Sequence, residues 1–274
     1  MERYGINFPL AKPLNSANGF TLIEIMVVLV ISGVIIAGIY QSFTTQNKSY
    51  LIQEQTVAMQ QSLRAGFDMM AREIRMAGYD PTESGLYAIT SAGATSMGFN
   101  CDLDGDGEIP GAGETFLYQL YDQDGDGTND TLRRTPGGSA LSEFVHAIGF
   151  AYAYDSDNDG VMDRSPNGNI IWAVDADGDG DWDRLDTNDD GTIDSADAPG
   201  AATNELITGV DTSTVIELDT IRAVKVWMLV MTEKPDRDFT NTFTYIVGNQ
   251  KITSNDNFRR RLLSTTIKCR NTGL

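Results

Sequence analysis

The sequence has little of what side-chain catalysis uses. Among 274 residues there is one histidine, His146, and there are two cysteines, Cys101 and Cys269. His146 opens a strand-like stretch with no motif around it, so it reads as structural. Neither a Ser–His–Asp nor a Cys–His arrangement has support, and no Gly-rich phosphate loop follows a strand. No enzyme is expected. Lysine is missing altogether from residues 101–197, where 4 arginines face 24 acidic residues. The rest of the chain carries 15 acidic and 16 basic residues, so the net charge of −19 resides in that one segment. Such a balance excludes nucleic-acid binding, which needs clustered Lys and Arg, and adsorption to anionic lipid. It points instead to local cation binding.

Charge is also nearly absent from Phe20 to Tyr40, where Glu24 is the sole Asp, Glu, Lys, Arg or His. As a helix these residues span about 31 Å, enough to cross a bilayer. Arg3 and Lys12 precede the run and favour a cytoplasmic N-terminus. A carboxylate inside an apolar span costs at least about 2.5 kcal/mol on insertion scales, so Glu24 needs a reason. The small residues Ala17 and Gly19 lie before the run, so a cut there keeps the helix on the mature chain.

Beyond Tyr40 the sequence stays helical and becomes amphipathic. Leu63, Phe67, Met70 and Ile74 recur at helical spacing on one face. Gly78 and Pro81 end the pattern. The expected helix covers 20–79, with a membrane-spanning part at about 20–40. Residues 80–274 read as a β-rich head. "HAIGFAYAYD" alternates large and small residues, and "IRAVKVWMLVMT" places Val224, Val226, Met228 and Val230 on one face. Further strands are expected in "FLYQLYD", "NIIWAVD", "TVIELD", "TFTYIVG" and "RRLLSTTIKCR". Together they predict an α+β chain, the amphipathic half-helix packed on an antiparallel sheet.

Asp-x-Asp-x-Asp-Gly recurs through the acidic segment. It starts at Asp102, Asp122, Asp155 and Asp175, with an Asn variant at Asp186. Acids at positions 1, 3 and 5 of a tight loop can all face one hard cation such as Ca²⁺, and Gly at position 6 permits the turn. The candidate ligands are Asp102, Asp104 and Asp106 in the first loop, and Asp122, Asp124, Asp126 and Asp130 in the second. The third offers Asp155, Asp157, Asp159 and Asp163, the fourth Asp175, Asp177, Asp179 and Asp183. The fifth has the fullest set: Asp186, Asn188, Asp190, Thr192, Asp194 and Asp197. In the first loop position 12 is Gly113, with Glu114 one residue late. Solvated Asp-Gly hairpin turns give the same short pattern without metal.

Gly19-Phe20-Thr21-Leu22-Ile23-Glu24 resembles the prepilin cleavage motif of type IV pilins and type II secretion pseudopilins. The resemblance implies a leader of residues 1–19, cleavage by prepilin peptidase after Gly19, and N-methylation of Phe20. It implies further that Glu24 pairs with the new amine of a neighbouring subunit. "MAREIRMAGYDP", "LRRTPGG", "GFAYAYDSDNDGVMD", "IRAVKVWMLV" and "RRRLLSTTIKCRN" resemble PilW-type minor pilins, in order and nearly to the C-terminus. The implied fold is pilin-like, a long N-terminal helix on a β-sheet head, here with Asp-rich calcium loops inserted. The implied role is pilus assembly or initiation near the tip, with other minor and major pilins as partners through the helix. The implied location is the inner membrane, crossed once with the N-terminus inside, and then the periplasm and pilus. J-type minor pseudopilins of type II secretion share this architecture, and a calcium-dependent tip adhesin is the alternative of another class. Export would put Cys101 and Cys269 in an oxidising compartment, where they can form one disulfide or stay as buried free thiols.

Overall fold

The structure is a computed structural model describing residues 19–108, 113–135, 138–198, 200 and 204–272. The expected leader before Gly19, with Arg3 and Lys12, lies outside them, as do residues 136 and 137 of "LRRTPGG". The chain divides into two units, Met1–Leu51 and Ile52–Leu274.

One helix, α1 (Leu22–Ile74), runs through the division. In the first unit its apolar side chains are exposed on every side, Ile23, Val30, Ile35 and Ile39 among them. Apolar all round and without a protein partner, this stretch suits a lipid or helix-bundle environment. Among the described residues α1 is the one helix long and apolar enough to cross a membrane.

In the second unit α1 buries one face: Met59, Leu63, Gly66, Phe67, Met70 and Ile74. This is the stripe that the helical spacing predicts. The helix ends earlier than the sequence suggests, because Met76 and Ala77 donate to carbonyls three residues back, of Glu73 and Ile74. Gly78 then donates to the Asn100 carbonyl at 3.0 Å, and the chain leaves for the head.

Three antiparallel sheets replace the single expected sheet. The first is a meander of β1 (Ile89–Ala92), β2 (Met97–Asn100), β3 (Thr115–Tyr121), β4 (Thr131–Thr135) and β5 (Ser139–Ser142), paired in chain order. The second contains β6 (Val145–Tyr154), β7 (Ala173–Val174), β8 (Asp181–Arg184), β10 (Val210–Val215), β11 (Ile221–Met231) and β14 (Arg260–Lys268). Its order is β10-β8-β7-β6-β11-β14. The third joins β9 (Asn204–Leu206), β12 (Thr244–Val247) and β13 (Gln250–Thr253) in the order β12-β13-β9. Two expected strands are shifted. "NIIWAVD" forms a bridge at Ile170 and a strand only at Ala173–Val174, and "TVIELD" breaks into the end of β10 and a 3₁₀ turn at Leu218–Thr220.

The second sheet is the centre of the core. β6 and β11 pair with Phe150 opposite Val226 and Gly149 opposite Trp227. Nearly all their residues are buried, so both sheet faces are covered. The face with Met228 meets α1, since a Cβ on Gly66 would lie 3.5 Å from Met228 Cε. The small-residue face admits the third sheet at backbone contact, where a Cβ on Gly149 would lie 2.5 Å from the Gly248 nitrogen. Alternation of large and small residues in β6 is thus the sequence record of two different coverings. α1 is tied to the first sheet as well. Glu73 accepts from Arg134 Nε at 2.9 Å and from the Tyr118 hydroxyl, and Ser62 bonds Ser142. His146 is structural: its Nδ1 accepts from Arg260 Nε at 2.7 Å, and burial, then Arg260, hold its pKa down.

The expected disulfide is not formed, and Cys101 and Cys269 are both buried free thiols. Each is held in its own place by backbone bonds, Cys101 to Glu114 at the end of the first sheet and Cys269 to Arg222 beside the second. Burial pushes Cys101 up to about 11 and Cys269 up to about 12, which leaves both protonated and unreactive at neutral pH.

Candidate functional site

Two features collect the chemistry of this chain. The first is the start of α1. The Thr21 amide and hydroxyl both donate to Glu24 Oε2 at 2.8 Å, and the Glu24 amide donates back to the Thr21 hydroxyl at 3.3 Å. This is a capping box, with Thr21 as N-cap and Glu24 three residues on. It gives Glu24 a local task besides the one its position in the cleavage motif implies. The signal was in the sequence, since Thr-x-x-Glu before an apolar run is its signature.

The second feature is the acidic loops, which project from strand ends. The first joins β2 to β3, the second β3 to β4, the third β6 to β7 and the fourth β7 to β8. The fifth follows β8. All five share one internal ladder. The oxygen of position 3 accepts from the amide of position 5, at 3.0–3.2 Å. That of position 5 accepts from the amide of position 7, at 2.7–2.9 Å. Positions 4 and 6 are left-handed in every loop, filled by Gly except for Asn158 and Asp189 at position 4. Such a ladder ties the side chains of positions 3 and 5 to the loop's own backbone.

Four loops bring acidic oxygens within 4.8 Å of one another and could hold a metal ion. The groups are Asp102, Asp104, Asp106 and Glu114; Asp122, Asp124 and Asp126; Asp155, Asp157 and Asp163; and Asp175, Asp177 and Asp183. Of the expected ligands, Asp130, Asp159 and Asp179 stay outside these groups. In the fourth loop burial, aided by Asp177, Asp179 and Asp175, pushes Asp183 above the usual carboxylate range. The third loop already has a cation: Arg222 Nε lies 3.3 Å from Asp155 and Arg222 Nη2 donates to Asn158.

The fifth loop departs from the expectation. Its acids do not gather three to a site among the described residues. Asp197 is taken up by the chain instead, accepting from the amides of Thr187 and Asp194 and from the Thr187 hydroxyl. Asn188 donates to Asp190, and Thr192 holds the Asp190 carboxyl below its usual range. Asp186 still accepts from Asp190 and Gly191. The spacing promised the fullest shell, but the backbone absorbs its closing carboxylate. Glu114, one residue beyond position 12 and just before β3, joins the first group.

Sequence comparison matches residues 14–40 to the family described as the prokaryotic N-terminal methylation motif. Residues 112–271 match the family described as Type IV Pilus-assembly protein W. Among solved structures, the chain is similar to a type IV-like pilin from Thermus thermophilus, at 15% identity and a TM-score of 0.35, over 78% of this chain and 97% of that one. No curated protein matches the chain.

Proposed function

The chain belongs to the Type IV Pilus-assembly protein W family, and from that premise we propose that it is a minor pilin that helps start pilus assembly near the tip and carries calcium-stabilised loops. One observation carries the assembly role: a methylation-motif match and an apolar helix headed by Thr21 and Glu24 stand on the same chain as the family's domain. Prepilin peptidase cuts after Gly19 in this reading, and Phe20 becomes the methylated N-terminus. The freed helix then packs among other pilins, with Glu24 facing a neighbour's amine. Before assembly the protein sits in the inner membrane with its N-terminus inside. The head is large for repeated packing along a shaft, which favours the tip. Deletion of the gene is expected to remove surface pili while leaving type II secretion intact. Lost secretion with normal pili overturns the assignment to the pilus.

Calcium is the cation that the loops suit, being hard and served by oxygen ligands alone. Closely spaced carboxylates repel one another in the folded head, and a bound cation removes that penalty. Extracellular calcium modules bind at about 10⁻⁴ M or weaker. At about 2 mM calcium a site of that affinity contributes about 2 kcal/mol of stability. Chelation with EGTA is therefore expected to lower the melting temperature of the full-length protein in detergent by roughly 4–8 °C for each occupied site. An unchanged melting curve overturns the calcium reading.

A further inference from the structure

The five loops are not equivalent, and one feature singles out the first. Glu114 is 1% exposed and Asp102 is 0% exposed. Glu114 Oε1 accepts from the Leu103 amide at 2.9 Å. Its Oε2 is buried and has no hydrogen-bond partner among the described residues. A buried carboxylate oxygen without a donor or counter-charge is costly. Here the oxygens around Glu114 are themselves acidic. The carboxylates of Asp102, Asp104, Asp106 and Glu114 converge within 4.8 Å, and none forms an ion pair with Arg or Lys among the described residues. The third loop shows the alternative, with Arg222 against Asp155.

The geometry points to the first loop as a divalent-cation site closed by Glu114, which reaches in from just before β3 in place of a position-12 carboxylate. This rests on the calcium reading above and specifies where the strongest site lies. Asp102, Asp104 and Asp106 supply one side of the shell, and Glu114 supplies the carboxylate that the loop's own Gly113 lacks. Two of the four ligands, Asp102 and Glu114, are buried and accept from backbone amides of the loop, so half of the site is preformed. It also sits where the chain leaves α1. The Asp102 amide donates to the Tyr79 carbonyl at 2.8 Å, and the Gly78 amide donates to the Asn100 carbonyl. The Tyr87 hydroxyl donates to the Glu108 carbonyl at 2.9 Å. A cation here clasps the exit from the helix to the β2–β3 hairpin.

The test compares wild type, Glu114→Gln and Asp104→Asn as full-length proteins in detergent, by calcium titration calorimetry and by melting curves in calcium and in EGTA. Glutamine keeps the bond from Leu103 and removes only the charge. In EGTA, Glu114→Gln is expected to melt at or above the wild-type temperature, because an uncompensated buried charge is gone. In calcium it is expected to melt below wild type, with the tightest binding phase weakened roughly tenfold or more. Asp104 is exposed, so Asp104→Asn keeps the fold and is expected to weaken the same phase. Equal shifts of Glu114→Gln in both media, with wild-type binding, overturn the assignment and leave calcium at the other loops intact. Absence of calcium binding by wild type overturns both this site and the wider reading.

Discussion

Glu24→Gln is expected to leave α1 well started and to reduce incorporation into a filament by about a hundredfold or more. The capping box accepts Gln as readily as Glu, so the bonds from Thr21 survive. What is lost is the negative charge. In the proposed reading, cleavage after Gly19 leaves Phe20 with a fresh ammonium at the positive end of a helix dipole, an unfavourable place for a cation. Buried in a bundle without its acid, that ammonium costs about 3–5 kcal/mol, the usual penalty for a broken buried pair. Glu24→Ala removes both tasks. The measurement is the ratio of protein in sheared pili to protein in membranes, with insertion checked by carbonate extraction. Normal incorporation of the Gln variant with failure of the Ala variant makes the cap the whole role of Glu24. Normal incorporation of both ends the assembly role.

Gly149→Ala is expected to be the most damaging single-methyl change in the head. Its added Cβ would meet the Gly248 nitrogen at 2.5 Å and the Val247 carbonyl carbon at 2.6 Å, both backbone atoms. Overpacking usually costs about 1–3 kcal/mol when side chains can yield. Here two backbones must separate, one in the central strand of the second sheet and one in the turn between β12 and β13. A loss of about 3 kcal/mol or more is expected in urea unfolding followed by tryptophan fluorescence. Gly66→Ala is the contrast. Its Cβ would meet flexible Met228 Cε at 3.5 Å, and alanine gains up to about 1 kcal/mol of helix propensity. A Gly149→Ala protein as stable as wild type contradicts the close packing of the third sheet on the second.

The long elements were legible in the sequence because their patterns are long. Leu63, Phe67, Met70 and Ile74 repeat often enough to define a face, and β6, β11 and β14 each run nine residues or more. β8 was not legible. Its four residues, Asp181–Arg184, lie in an acidic run, yet Trp182 is fully buried and stacks on Tyr154 at 5.4 Å. One apolar residue among charges carries no period, and pairing with β7 and β10 decides the strand. The division into three sheets was hidden for the same reason, since four-residue strands such as β1, β2 and β13 are fixed by their neighbours. At the candidate sites, loop spacing found the turns and most of the acids that gather. Ligand counting does not show that Asp197 accepts from the amides of Thr187 and Asp194 or that Glu114 gathers with Asp102, Asp104 and Asp106. Of the two states the cysteine count left open, Cys101 and Cys269 take that of buried free thiols.

The second loop has a consequence for engineering. Tyr121 and Thr131 are direct partners across β3 and β4, and the loop lies wholly between them. It is a cassette mounted on a finished hairpin. Exchanging residues 122–130 for Asn-Gly is expected to preserve the β3–β4 register, because a two-residue turn closes the same pair. The reverse operation follows: a peptide tag or a lanthanide-binding sequence can be grafted at this position to label the head.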